Sequence, residues 1–206
     1  MDAHKVPTLH ILAGPNGAGK STLYQTRVRQ VTSAEFVNAD LLVRDSLGRH
    51  PVRREEAELG QRLANERRAA LMEARSDLVT ESTFSHPSKL ELIEDAKRLG
   101  YEVVAYHVSL RSPELSIQRV QFRVSEGGHP VPEQNIRARY DRNQPLIRQA
   151  ILMSKRGFVF DNSVAGRTPR LLIAFKDGIV TRSTGPLPGW ASSLYSDDLG
   201  TFRRRL

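Results

Sequence analysis

The residues best suited to chemistry are Gly14-Pro15-Asn16-Gly17-Ala18-Gly19-Lys20-Ser21, followed by Thr22. They fit the pattern G-x-x-x-x-G-K-[ST], whose glycines let the backbone curl with its N–H groups turned inward as a nest for anionic oxygens. In such a loop Lys20 reaches the β- and γ-phosphates of a nucleoside triphosphate, and the Ser21 hydroxyl ligates Mg²⁺. Thr8 to Ala13 reads as a strand entering the loop. Ser21 to Val31 reads as a helix whose positive end faces the phosphates.

Phosphoryl transfer also needs positioning, positive charge around the moving group and often a base for an acceptor hydroxyl. Asp40 is the candidate base, since it closes a short strand, Glu35 to Asp40, expected beside the loop; helix capping is the competing role. Glu81 ends another strand and suits an acceptor or a magnesium-bound water, or else an ion pair. Thr83 is a weaker acceptor contact. Arg119 and Arg123 are four residues apart and share a helix face. Arg137 and Arg139 follow a Gly-Gly-His-Pro bend, and only one of these two can point inward. The four arginines suggest a lid closing on triphosphate, with surface pairing as the alternative. His129, within the bend, reads as structural. The histidines show no spacing suited to zinc.

The elements that must position these groups alternate between strand and helix. A helix over Val52 to Arg75 places Leu59, Leu63, Ala70, Leu71 and Ala74 toward the core. A strand covers Asp77 to Thr83. A helix opened by Ser85 and Pro87 turns Leu92, Ile93, Ala96 and Leu99 inward and stops at Gly100. Tyr101 to Leu110 is the most strand-like run. Ser112-Pro113-Glu114 starts a helix carrying Ile117, Val120 and Val124. Pro132-Glu133 starts another, expected to bend or break at Pro145. Gly157 to Ser163 reads as strand and turn. Pro169 to Lys176 and Gly178 to Arg182 form a hairpin about Asp177-Gly178, and the tail from Pro186 reads as irregular, with Trp190 and Leu194 as possible docking points.

This order predicts an α/β fold: a mainly parallel sheet with helices on both faces, a helical lid over about 112–142, and a C-terminal β-hairpin and tail over about 169–206. Ligands of such sheets lie beyond the carboxyl ends of the strands, where the loop, Asp40, Glu81 and the Asp161-Asn162-Ser163 turn all fall.

Composition limits the alternatives. The 206 residues suit one α/β domain, and 39% hydrophobic with 26% charged residues is ordinary for a globular protein. There is no cysteine, which excludes disulfides and thiolate chemistry and is compatible with a cytoplasmic location. No apolar run approaches a membrane span or a signal segment. The net charge of +8 is spread among mixed-sign helices apart from Arg203-Arg204-Arg205, so solvated faces and phosphate ligands are expected rather than a nucleic-acid surface.

Several of these stretches together resemble the zeta-toxin family: Gly14 to Thr22, Val37 to Asp40 (VNAD), Glu81 to His86 (ESTFSH), Ser109 to Arg123, Gly127 to Arg142 and Phe160 to Ser163 (FDNS). The resemblance covers roughly Leu9 to Ser163. It implies a P-loop kinase fold, with ATP and Mg²⁺ as phosphoryl donor and UDP-N-acetylglucosamine, a nucleotide sugar, as acceptor. It implies Lys20 and Ser21 at phosphate and metal, Asp40 as base, Glu81 and Thr83 at the acceptor, arginines around the bend as γ-phosphate clamps, and Asn162 near the nucleotide base. It also implies a separate antitoxin protein as partner. The chain departs from the long toxins in its shorter length and its C-terminal hairpin. A kinase for another metabolite or a polynucleotide end, and an ATP-binding switch, are the competing readings.

Overall fold

A computed structural model describes residues 6–49, 51, 53–126, 128 and 130–204. His129 and the end of the terminal arginine run lie outside the described residues. The frame is a seven-stranded sheet in the order β2-β3-β1-β4-β5-β6-β7. Strands β1 (Thr8–Ala13), β2 (Glu35–Val37), β3 (Leu78–Ser82), β4 (Glu102–Ser109) and β5 (Arg156–Asp161) are parallel. Strands β6 (Arg170–Lys176) and β7 (Ile179–Ser183) add an antiparallel hairpin. At its turn Asp177 and Gly178 both take positive φ, 51° and 74°, which matches the twist of the two strands.

Strand β1 is central and buried on both faces, hence its nearly unbroken apolar run. Leu9, Ile11 and Ala13 enter one core with residues of α3 (Arg54–Glu73), α4 (Ser88–Arg98) and α6 (Glu133–Met153). Leu12 enters the other, against Leu23 of α1 (Lys20–Thr26). This alternation is the strand's two-residue period, and each such buried Leu or Ile contributes about 1.5–3 kcal/mol.

Several expectations are corrected. The helix after the loop ends at Thr26, and Val28–Gln30 forms a separate 3-10 turn. Strand β2 stops at Val37; Asn38 then caps α2 (Ala39–Leu47), its side-chain oxygen accepting from the Leu41 N–H at 3.0 Å. Asp40 therefore stands in the first turn of a helix, not at the end of a strand. Helix α3 buries Ala64, Leu71 and Met72, while Ala70 and Ala74 face solvent. Its Gly60 passes so close to α2 that an added Cβ would sit 2.6 Å from the Ala39 carbonyl oxygen. Leu99 and Val124 are also exposed.

Helix α5 (Pro113–Ser125) begins as expected, with Ser112 capping the Leu115 N–H. Helix α6 runs unbroken through Pro145. Pro145 and Asp141, whose carbonyl loses its helical partner there, are both exposed, so water can satisfy the orphan oxygen. The tail is helical: α7 (Gly189–Leu194) and α8 (Ser196–Arg203) close a third core in which Tyr195 is fully buried and Trp190 and Leu194 are partly buried.

Candidate phosphate-loop active site

The loop leaves β1 and turns into α1 through Gly17 and Gly19, at φ 72° and 89°. A side chain is strained at either position, and at Gly19 a Cβ would meet the Asn162 side-chain nitrogen at 2.1 Å. That nitrogen donates to the Ala18 carbonyl at 2.9 Å. Asn162 is 7% exposed and supports the loop from behind; it is not among the residues facing the cleft.

Lys20 Nζ donates to the carbonyls of Gly14 and Pro15, at 3.1 and 3.3 Å. Burial lowers its pKa, and the nearby Glu81 and Asp40 carboxylates oppose that shift. Burial raises the Glu81 pKa, which Lys20 in turn counters. Glu81 accepts from Ser21 Oγ at 3.3 Å and from the Asn38 side chain. Lys20, Ser21, Asp40, Glu81 and Thr83 all line one cleft of about 2420 Å³. Asp40 is exposed within it, two residues past the Asn38 cap.

The lid arginines divide. Arg119, Arg123 and Arg139 line the cleft, and Arg139 Nη1 donates to Asn16 of the loop at 3.4 Å. Arg137 turns away: it bonds Glu114 at 2.5 Å and Glu133 at 2.9 Å on the outer surface, joining α5 to α6. Gly17 packs closely against α5, since a Cβ there would lie 2.8 Å from the Ser116 carbonyl oxygen.

The floor near Thr83 holds residues that sequence reasoning passed over. Buried Asn143 of α6 donates to the Thr83 carbonyl. Phe84, also buried, takes a left-handed φ of 54°, and its N–H donates to Ser82 Oγ at 3.0 Å. The ESTF run carries no turn signal that announces this kink. Arg68 and Lys89 also line the cleft, and nothing in their spacing distinguishes them from surface cations.

A profile of the zeta toxin family matches residues 1–150. The chain belongs to the zeta toxin family. No curated protein matches it in sequence. Among solved structures it is similar to AvrRxo1-ORF1:AvrRxo1-ORF2 with sulphate ions, at 16% identity and a TM-score of 0.67, over 94% of this chain and 63% of that one. The PezAT toxin–antitoxin system of Streptococcus pneumoniae is similar at 15% identity and a TM-score of 0.60, over 98% and 88%. Shikimate kinase from Acinetobacter baumannii, in complex with shikimate, gives 21% identity and a TM-score of 0.50, over 80% and 87%. The chain thus spans about 63% of the length of the first of these relatives. The family and these likenesses identify the architecture as the P-loop kinase fold of α/β type.

Proposed function

We propose that this protein transfers the γ-phosphate of ATP to a hydroxyl of a small acceptor, and that the acceptor is a nucleotide sugar of the UDP-N-acetylglucosamine type. The supporting observation is a single cleft shared by the loop lysine, Asp40 and Glu81 and extending beyond them. In this reading the loop amides and Lys20 hold the β- and γ-phosphates. Lys20 then exchanges its contacts with the Gly14 and Pro15 carbonyls for phosphate oxygens. Asp40 accepts the acceptor's proton, Glu81 and Thr83 orient the acceptor, and Arg119, Arg123 and Arg139 spread charge from the transferring group.

The Ser21 hydroxyl beside the Glu81 carboxylate, with Asp40 nearby, is a hard oxygen set that suits Mg²⁺. Bound there, Mg²⁺ would neutralise charge on the β- and γ-oxygens. Family membership motivates two further parts of the proposal, a separate antitoxin partner and a cytoplasmic location.

The test is transfer from labelled ATP and Mg²⁺ to a panel of sugar nucleotides. Wild type yields one phosphorylated product. Lys20→Ala and Asp40→Asn each lose roughly 10²-fold or more, while Asp40→Asn binds a non-hydrolysable ATP analogue as wild type does. Undiminished turnover by Asp40→Asn would remove it from the mechanism.

A further inference from the structure

Two further cations line the cleft, and neither is among the charges that shift Lys20. Arg68 lies on the face of α3 that also carries Gln61, Asn65 and Met72 to the cleft. The intervals of four, three and four residues keep these in one row. Its guanidinium donates to Thr80 Oγ1 at 3.3 Å and to the Asn65 side-chain oxygen, both neutral. Lys89 lines the cleft from the first turn of α4.

Both are half-buried, and among the described residues neither forms an ion pair. Burial lowers the pKa of each, and Arg68 lowers that of Lys89 further, so the two feel one another. Neighbouring cations on α3 are treated differently. Arg67 is paired with Glu35 at 2.6 Å, and Arg62 lies 3.9 Å from Glu66. Holding two like charges partly out of water without a counter-ion is unfavourable, and an arriving anion relieves it.

We infer that Arg68 and Lys89 form an oxyanion subsite in the cleft, which holds a phosphate or carboxylate carried by the phosphoryl acceptor. The inference rests on the kinase reading only in assigning that oxyanion to the acceptor. Arg68 offers a planar fork for two oxygens and Lys89 a point charge, with Ser85 and Ser88 also lining the cleft. Met72, Phe84 and Leu92 supply apolar wall. The matching acceptor presents a hydroxyl to Asp40 at one end and an oxyanion to Arg68 and Lys89 at the other. A neutral sugar lacking the second group is a poor substrate.

The experiment loads the protein with a non-hydrolysable ATP analogue and Mg²⁺, so that the loop is filled. Inorganic phosphate, pyrophosphate and succinate are then titrated by calorimetry at constant ionic strength. At least one binds saturably. Lys89→Gln and Arg68→Gln each weaken it about tenfold or more, Arg68→Lys less, and analogue affinity stays as in wild type. Preference for the phosphates names a phosphorylated acceptor, and preference for succinate a carboxylate. Lys89→Gln carries the test if Arg68→Gln disturbs the Thr80 and Asn65 contacts.

Absence of saturable binding, binding indifferent to Lys89→Gln, or an equal fall in analogue affinity would overturn the subsite. If wild type takes up no analogue, the kinase reading fails separately. The same titration of unloaded protein then decides the subsite: binding that survives Lys20→Ala and falls with Lys89→Gln supports it, and any other pattern rejects it.

Discussion

Asn162 joins the turn after β5 to the phosphate loop through one hydrogen bond to Ala18, and Gly19 packs against the same amide. Asn162→Ala leaves the Ala18 carbonyl without its partner, at about 1–3 kcal/mol. The loop loosens, and affinity for an ATP analogue falls by about tenfold or more, measurable by calorimetry beside a denaturation curve. An unchanged affinity would mean that the loop holds its shape unaided. The lid arginines permit a sharper contrast, because Arg139 reaches the loop while Arg137 is bound to Glu114 and Glu133 outside it. Arg139→Gln should lower phosphoryl transfer roughly 10²-fold or more, as for the loss of a charge-stabilising group. Arg137→Gln should stay within a few-fold, since exposed pairs are worth about 0–1 kcal/mol. Equal losses in the two variants would place the clamp elsewhere.

At the scale of elements, the join between β4 and the terminal helices has a pH signature. His107 of β4 is fully buried, its Nδ1 lies 2.8 Å from the Tyr195 hydroxyl, and its Nε2 has no partner among the described residues. Burial lowers its pKa to about 3, and that of His10, beside Tyr106, to about 4. Both folded values lie below the ordinary 6.5, so the unfolded chain binds more protons as pH falls through that value. The stabilisation is complete above about pH 6.5 and is lost progressively between there and pH 3–4. Denaturant unfolding at pH 7 and pH 5 should differ by about 4 kcal/mol from these two groups. His107→Gln should remove about half of that difference; an unaltered slope would show that His107 takes up its proton as readily in the fold as in the unfolded chain.

The same elements show where sequence reasoning reached its limit. Strands β1 and β4 were legible because they are largely apolar, β-forming runs, and Ser112-Pro113 announces α5 by local capping chemistry alone. Helix α2 was missed because nine residues with one buried side chain, Val43, leave little periodic trace. Helices α7 and α8 are short and lie among prolines, glycines and serines. Tertiary burial of Ala191, Tyr195 and Leu199 accompanies a helical state that local propensity does not declare. At the site, the loop residues were legible from a fixed pattern. Asn143 and Phe84 act through distant partners and one unusual φ, which no local pattern encodes.

For the whole molecule, the question is whether the C-terminal additions form one cooperative unit with the parallel sheet. The third core answers in terms of contact. Ala105 of β4, Ile151 of α6 and Val159 of β5 pack in one cluster with β6, β7, α7 and α8. Arg148 of α6 bonds Asp198 of α8 at 2.8 Å, and Trp190 Nε1 donates to Asp161 at the end of β5 at 3.2 Å. Asp161 adjoins Asn162, so the cap and the loop share a strand end. A cap that melted first would expose much of that core, so one transition is expected. Trp190 is the only tryptophan, and its fluorescence reports the cap, while far-ultraviolet circular dichroism reports all helices and strands. The two thermal transitions should coincide. An ATP analogue at 100 times its Kd should shift both together by about 2.7 kcal/mol of added stability, because ligand bound to the native state stabilises every part that unfolds with it. A fluorescence transition that precedes the circular dichroism transition, or ignores the analogue, would make the cap a separate folding unit attached to the sheet.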